Sequence, residues 1–261
     1  MNPGRASLPL LCLALALAGC ATVPSDPAAR AEFRANHDPI EPLNRKIFSF
    51  NLALDRFLIK PLAQGYQKVI PEEGRNALRH FLDNLNEPIV LANTLLQGRF
   101  KDARTTGCRF IVNSTAGIGG LADVASHHHL PKQIGDLGQT FWAWGFSEGP
   151  YLMLPLFGPS NPRDGIGMGA DVYLDPFRYL ARKENYPNYV TVGRTVADGI
   201  DKRARNLESV DVMQRESVDY YASLRSLFRQ NRAAELRGSG PASTLPSPDF
   251  YADPAPTPST N

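Results

Sequence analysis

The sequence predicts an all-α fold, a single domain of short amphipathic helices broken by glycine and proline. Three observations carry that prediction. Apolar residues recur at spacings of three and four through most of residues 38–237. Runs that alternate apolar with polar, as a half-buried strand requires, are scarce. The 22 prolines and 21 glycines punctuate the periodic stretches, and each can stop or bend a helix.

The first helix follows Asp38-Pro39 and Glu41-Pro42, which supply a start signal. Leu43, Ile47, Phe50, Leu54 and Phe57/Leu58 fall on one face, and Lys60-Pro61 is expected to close the helix. A second helix opens at Pro71-Glu72-Glu73, with acids where the helix dipole favours them. Its stripe is Leu78, Leu82 and Leu85, and Pro88 is expected to break it. Ile89 to Leu96 then reads as a third segment, with Gly98 as its C′ cap.

Residues 101–114 read as a short amphipathic helix carrying Cys108, Phe110 and Ile111, ended by Gly117, Gly119 and Gly120. The stretch 138–169 is rich in glycine, proline and aromatic residues, and no helix of ordinary length is expected in it. Gly165-Ile166-Gly167-Met168-Gly169 lacks the strand that would precede a dinucleotide-binding turn, and its glycines suit close backbone packing. Helical periodicity returns over Val190–Leu207 and Val210–Leu236.

The ends read differently. Arg5 precedes an apolar run from Leu8 to Ala18, about half of the roughly 20 residues a spanning helix needs, which fits a signal-peptide core. Leu17-Ala18-Gly19-Cys20 is a lipobox, so residues 1–19 are expected to be a lipoprotein signal peptide and Cys20 the acylated residue. Two or three acyl chains, at about 0.8 kcal/mol per buried methylene, anchor durably. Ala21 stands where an aspartate would signal retention in the inner membrane, so the outer membrane, facing the periplasm, is the expected address. Residues 20–37 read as the acylated N-terminus and tether, 38–237 as the folded domain. Residues 238–261 carry six prolines in 24 positions and should be disordered.

Composition narrows the function. With 28 Lys+Arg against 26 Asp+Glu the charge is +2, and no basic stripe marks a nucleic-acid binder. Cys12 lies in the signal peptide and Cys20 is the acylation site, which leaves Cys108 alone and excludes a disulfide scaffold. The amphipathic helices suit a soluble core, or, given the acyl anchor, a membrane interface with their apolar faces in lipid. The aromatic 138–158 region suits either place as well.

Two motifs invite chemistry. Gly145-Phe146-Ser147-Glu148-Gly149 spells the G-x-S-x-G of a hydrolase elbow, with Ser147 as nucleophile. That fold orders its triad serine, acid, histidine, and no histidine follows His129, while Pro150 and Pro155 interrupt the helix that should come next. A glycine-rich turn is the simpler reading. His127-His128-His129 cannot all reach one ion from a regular element, so an exposed loop is expected rather than a metal site. No cofactor is expected either.

The chain resembles a known family, the MlaA/VacJ lipoproteins of the outer membrane. The resemblance begins with Asp38-Pro39-Ile40-Glu41-Pro42-Leu43-Asn44-Arg45 and Phe48, Phe50-Asn51. It continues through Arg75-Asn76, Asn84-Leu85, Glu87-Pro88, Asn93 and Leu96-Gln97-Gly98, then Arg109-Phe110, Asn113, Gly117-Ile118-Gly119-Gly120 and Asp123. Gly149-Pro150-Tyr151, Leu154-Pro155, Gly158-Pro159-Ser160 and Arg163-Asp164-Gly165 form the most specific block, and Arg203-Ala204 and Leu207-Glu208-Ser209 extend it. Phe141-Trp142 and Ser147-Glu148 depart from the family pattern.

The resemblance implies a ring-like helical domain embedded in the inner leaflet of the outer membrane, with an amphipathic channel and no catalysis. Phospholipid that has strayed to the outer leaflet would pass through it to a soluble periplasmic carrier (MlaC), for return to the inner membrane, and trimeric porins are implied partners. The expected lipid path runs along Gly117, Gly119, Gly120, Gly145, Gly149, Pro150 and Tyr151, with Arg109, Asn113 and Asp164 as polar candidates for a headgroup. A serine hydrolase using Ser147 and a purely structural envelope lipoprotein are the alternatives.

Overall fold

The computed structural model describes residues 38–184 and 188–237, together with residue 26. The expectations for the signal peptide, the acylation site and the Pro-rich tail lie outside the described residues.

The chain opens with α1 (Glu41–Leu54), a π-helical turn (Asp55–Ile59) and α2 (Lys60–Val69), which run on without a break. Lys60-Pro61 therefore does not close the first helix. The π turn resets the hydrogen-bond ladder, so that Pro61 falls in the first turn of α2, where a missing donor costs nothing. Helix α3 (Glu72–Leu96) likewise continues through Pro88. A proline inside a helix costs about 3 kcal/mol, and here packing outweighs it. α3 folds back along α4 (Phe100–Thr115) with Val90, Thr94, Ala103 and Thr106 buried. Gly98, at φ +73°, takes the left-handed C′ position that lets the chain reverse.

A short α5 (Val124–His127) and α6 (Leu137–Ala143) precede a two-stranded antiparallel hairpin, β1 (Leu152–Leu154) and β2 (Gly158–Ser160). In its register Leu152 faces Ser160 and Leu154 faces Gly158. No alternating pattern announces strands this short. Helix α7 (Pro162–Leu174) follows, against the expectation of no ordinary helix before residue 169. Pro162 sits at its first turn and the Asn161 side chain accepts from the Asp164 N–H at 2.9 Å, a cap strong enough to start a helix containing three glycines. Then come α8 (Pro176–Lys183), α9 (Asn188–Arg205), α10 (Leu207–Glu216) and α11 (Tyr220–Leu236). The periodic stretch Val210–Leu236 is thus two helices, divided where Ser217 turns extended and Asp219 accepts from the Ala222 N–H to cap the second.

The apolar core is small: Phe48, Tyr151, Met153, Tyr221 and Leu224, with Ile47, Leu52, Tyr220 and Phe228 packed against it. The Tyr151 and Tyr221 rings meet edge-on at 6.0 Å. This cluster joins α1, the hairpin and α11. The outer edge of β1 is completed by two asparagines seven residues apart on α1. Asn44 donates to the Tyr151 carbonyl at 3.1 Å and accepts from the Met153 N–H at 2.9 Å. One turn-pair further on, Asn51 donates to the Leu154 carbonyl and accepts from the Leu156 N–H, both at 2.9 Å. Both side chains imitate a third strand. Asn44→Ala is expected to cost about 2 kcal/mol, because it strands buried backbone groups, against about 1 kcal/mol for the half-buried Asn51→Ala; urea unfolding in detergent measures both.

The predicted stripe on α1 divides: Ile47 packs against the core cluster and most of the rest does not. Leu43, Phe50, Phe57 and Leu58 all point outward, and Phe57 is 76% exposed. What the fold buries is largely polar: Asn44, Thr94, Thr106, Thr140, Asp201 and Arg203 are among its most enclosed side chains. Among the described residues no helix is long and apolar enough to cross a membrane.

Candidate functional site

The residues expected to line a path fall into two groups in the fold. The first gathers around Arg109 on α4, whose side chain is 2% exposed. Its Nε donates to Glu87 on α3 at 3.0 Å, and its Nη2 donates to both Asp123 oxygens at 3.0 and 3.1 Å. Nη1 reaches Ser126 Oγ at 3.1 Å and the Leu130 carbonyl at 2.5 Å. Asn113, one turn along α4, donates to Asp123 at 3.1 Å and accepts from the Ala125 N–H at 2.9 Å. Asp123 in turn caps α5.

The electrostatics follow from that wiring. Burial pushes the Asp123 carboxyl up, but the Ser126 hydroxyl, the Arg109 guanidinium and the Asn113 amide outweigh it and hold the group at about 2. Glu87 goes the other way: burial dominates, Arg109 offsets it only in part, and its Oε2 is buried without a partner among the described residues. Gly117, Gly119 and Gly120 fold the chain from α4 back to Asp123. Gly120 takes φ +94° against the Asn84 side chain, and a Cβ on Gly117 would stand 2.3 Å from the Ala122 carbonyl oxygen.

The second group surrounds α6, the hairpin and α7. Gly145 (φ +91°) and Gly149 (φ +75°) bend the segment between α6 and β1. Gly149 lies against the Pro162 ring, Pro150 is half-buried, and Tyr151 is 1% exposed with its hydroxyl unpartnered among the described residues. Burial pushes the Tyr151 phenol well above its usual range. Asp164 is anchored by Arg232 of α11 at 2.9 and 3.1 Å, by Arg163 at 2.9 Å and by Asn161 at 2.7 Å. Burial raises its pKa and the two arginines more than reverse this, leaving it below the usual carboxylate range. Arg232 also donates to both oxygens of Asp136, the α6 cap, at 2.8 Å.

The three polar candidates therefore spend their hydrogen bonds within the protein. Sequence reasoning missed their counterparts: Glu87, Arg232, and the Asn93 side chain that ties α3 to Thr140 (2.8 Å) and Asp171 (3.0 Å). Glu87 and Asn93 stand among the residues that carry the family resemblance, but only the fold shows what they bond to, and nothing in the sequence marks Arg232.

Ser147 is exposed, in a turn that a helix precedes and a strand follows. A nucleophile elbow requires the reverse order, strand before and helix after. His127 ends α5, and His128 and His129 continue into its turn, all exposed. An open cleft of about 400 Å³ lies beside them, lined by Glu73, Asn76, His80, Leu121, Asp123 and His127. Among the described residues no three His, Cys, Asp or Glu side chains stand close enough to hold a metal ion.

Outside these polar clusters many large apolar side chains are exposed. Phe50, Phe57, Leu58 and Leu62 project from α1 through α2, Phe110 and Ile111 from α4, and Trp142, Trp144 and Phe146 from the end of α6. Trp144 donates its indole N–H to the Leu96 carbonyl at 3.1 Å and still leaves half its surface outward.

Comparison with known proteins places this geometry. The profile of the MlaA lipoprotein family matches residues 36–235. The intermembrane phospholipid transport system lipoprotein MlaA of Escherichia coli is 34% identical over 218 residues, 82% of each chain. Its namesake in Haemophilus influenzae is 30% identical over 230 residues, 86% of this chain and 87% of that one. A solved structure concerned with the structural basis for maintenance of bacterial outer membrane lipid asymmetry superposes with a TM-score of 0.67 at 32% identity, over 76% of this chain and 98% of that one.

Proposed function

Since the chain belongs to the MlaA lipoprotein family, we propose that it removes phospholipid from the outer leaflet of the outer membrane and passes it inward, keeping the two leaflets different. Cys20 carries the acyl anchor, and the helical domain lies in the inner leaflet as a ring-like body. A periplasmic carrier of the MlaC kind takes the lipid, trimeric porins hold the domain in place, and no covalent chemistry is involved.

One observation of this chain supports the reading most directly: many large apolar side chains face out while much of what its helices bury is polar. Large apolar side chains face out from α1, α2, α4 and the end of α6, while asparagine, threonine, aspartate and arginine are buried. Apolar faces of that extent lower their free energy in hydrocarbon, where a polar backbone must be satisfied from within. In this reading Gly117, Gly119, Gly120, Gly145, Gly149, Pro150 and Tyr151 shape the wall of the lipid path. Arg109, Asn113 and Asp164 brace that wall rather than touch the headgroup, because their bonding capacity is taken.

The test is deletion of the gene, followed by assay of surface phospholipid with an outer-membrane acyltransferase that modifies only lipid in the outer leaflet. Surface phospholipid is expected to rise and to return to normal with the wild-type chain and with Ser147→Ala. Leu58→Asp/Leu62→Asp is expected not to restore it, since a central charge in hydrocarbon costs about 3 kcal/mol. An unchanged level on deletion sinks the proposal in favour of a structural envelope protein, and failure of Ser147→Ala alone would favour hydrolysis.

A further inference from the structure

A further stretch of outward apolar side chains lies elsewhere on the chain. From the end of α7 to the first turns of α9 it carries Tyr173 (80% exposed), Leu174, Tyr179, Leu180, Tyr189 and Val192. Like the α1–α2 face, where Arg56 lies 5.8 Å from the Phe57 ring centre, this one is bordered by cations. Helix α8 turns Ala181 inward and Tyr179 and Leu180 outward. Arg182 and Lys183, exposed at its end, stand three residues after Tyr179 and Leu180, on the same sides of the helix.

The surrounding charge does not cancel theirs. Asp175 caps α8 by accepting from the Phe177 N–H at 3.0 Å and faces two guanidiniums, Arg194 at 2.7 Å and Arg178 at 3.7 Å. One carboxylate between two arginines leaves a positive surplus, and Arg194 adds to the apolar packing by lying 5.2 Å from the Phe177 ring centre. Glu184 follows Lys183 and offsets one charge of the group. Aromatic rings and a leucine on one side, with long cationic side chains rising from their rim, are the composition of a helix lying in a headgroup layer.

We propose that α8, with the adjoining ends of α7 and α9, is a contact for anionic phospholipid headgroups and gives the protein a preference for bilayers that contain them. Arg182 and Lys183 meet the phosphates while Tyr179 and Leu180 enter the acyl boundary below. The proposal rests on the reading that the outward faces of this chain enter a bilayer, and it adds the charge of the lipid to which they turn.

The experiment is co-flotation of the full chain with vesicles of phosphatidylcholine alone and of phosphatidylcholine mixed with phosphatidylglycerol. The ratio of the two partition constants cancels whatever an acyl anchor contributes equally to both. The wild type is expected to favour the anionic vesicles, and added salt to shrink that advantage. Arg182→Gln/Lys183→Gln should lower binding to anionic vesicles by about five-fold per charge, about 25-fold together, and leave binding to neutral vesicles unchanged. Arg182→Lys/Lys183→Arg should keep the advantage, and far-UV circular dichroism should match the wild type in each variant.

Equal binding of the wild type to both vesicles overturns this inference and leaves the membrane reading standing. A Gln variant that retains the full advantage also overturns it, and turns attention to an acidic protein surface as the occupant of the basic rim. Binding to neither vesicle overturns the membrane reading, and this inference with it.

Discussion

Arg109→Met is expected to destabilise the protein by about 3–5 kcal/mol, the loss typical of removing one partner from a buried ion pair. The guanidinium joins Glu87 on α3, Asp123 ahead of α5 and the Leu130 carbonyl beyond it. Methionine fills much of the volume but leaves Glu87 buried without its ion-pair partner. Its carboxyl, already pushed up by burial, rises further, and a raised carboxyl pKa stabilises only while the group is protonated. The damage in Arg109→Met should therefore be smaller in acid and grow as pH climbs through the new pKa. Adding Glu87→Gln should recover part of the loss at neutral pH, because it removes the more deeply buried of the two carboxylates that lose Arg109, leaving only Asp123 to the hydroxyl and amide of Ser126 and Asn113. The wild type carries the opposite dependence at Asp123. Held at about 2 against an ordinary 3.8, this carboxylate contributes stability that is present above pH 4 and disappears as pH falls toward 2. Asp123→Asn should flatten the unfolding profile across that window. Urea titrations in detergent at a series of pH values measure both trends.

The same corner illustrates what can be read from residues alone. The turn from α4 was legible, because Gly117, Gly119 and Gly120 announce a chain reversal and the backbone there takes positive φ at two of them. Arg109 and Asn113 stood out as polar residues in a helical pattern, yet their partners are separated from them by 10 to 22 positions, and no local rule reports such pairing. The prolines misled for a related reason. Pro88 carries a real local penalty and Pro61 escapes one, because whether a helix ends depends on what packs against it, and on whether a π turn can absorb the missing donor. The spacing places Leu43, Ile47, Phe50, Leu54 and Phe57/Leu58 on one face, and in the fold Leu43, Phe50, Phe57 and Leu58 are exposed while Ile47 packs against the core. Periodicity cannot say whether such a face looks toward a core or toward lipid, and here most of it looks outward. The discriminating signal lies about a quarter-turn round the helix, where Asn44 and Asn51 stand seven residues apart on the side that packs against the hairpin.

A second large effect is expected where α6 crosses α7. The two helices approach so closely that a Cβ on Gly167 would lie 2.4 Å from the Gly138 nitrogen and 2.9 Å from its Cα. Both obstacles are backbone, so no rotamer change relieves the clash. Gly167→Val should cost about 3 kcal/mol as the helices are forced apart, measured by urea unfolding in detergent. Two residues along the same helix, Gly169 has nothing within 4 Å of its hypothetical Cβ. There Gly169→Ala should stabilise by about 0.5–1 kcal/mol, the ordinary gain in helix propensity. Opposite signs from neighbouring glycines in one helix separate steric demand from propensity, which neither variant does alone. The crossing also sets the second polar cluster, since Asp136 at the start of α6 and Asp164 in the first turn of α7 share Arg232. A Cβ on Gly138 would fall 2.4 Å from Asp164 Oδ1 and 2.7 Å from Arg232 Nη2. Spreading the helices at Gly167 therefore pulls on the ion triad and on α11 beyond it. It also pulls on the Gly145–Tyr151 segment, which leaves α6 and returns to α7 through the hairpin. If that segment shapes the lipid path, Gly167→Val should impair restoration of lipid asymmetry beyond what its loss of folded protein explains, while Gly169→Ala should restore it fully.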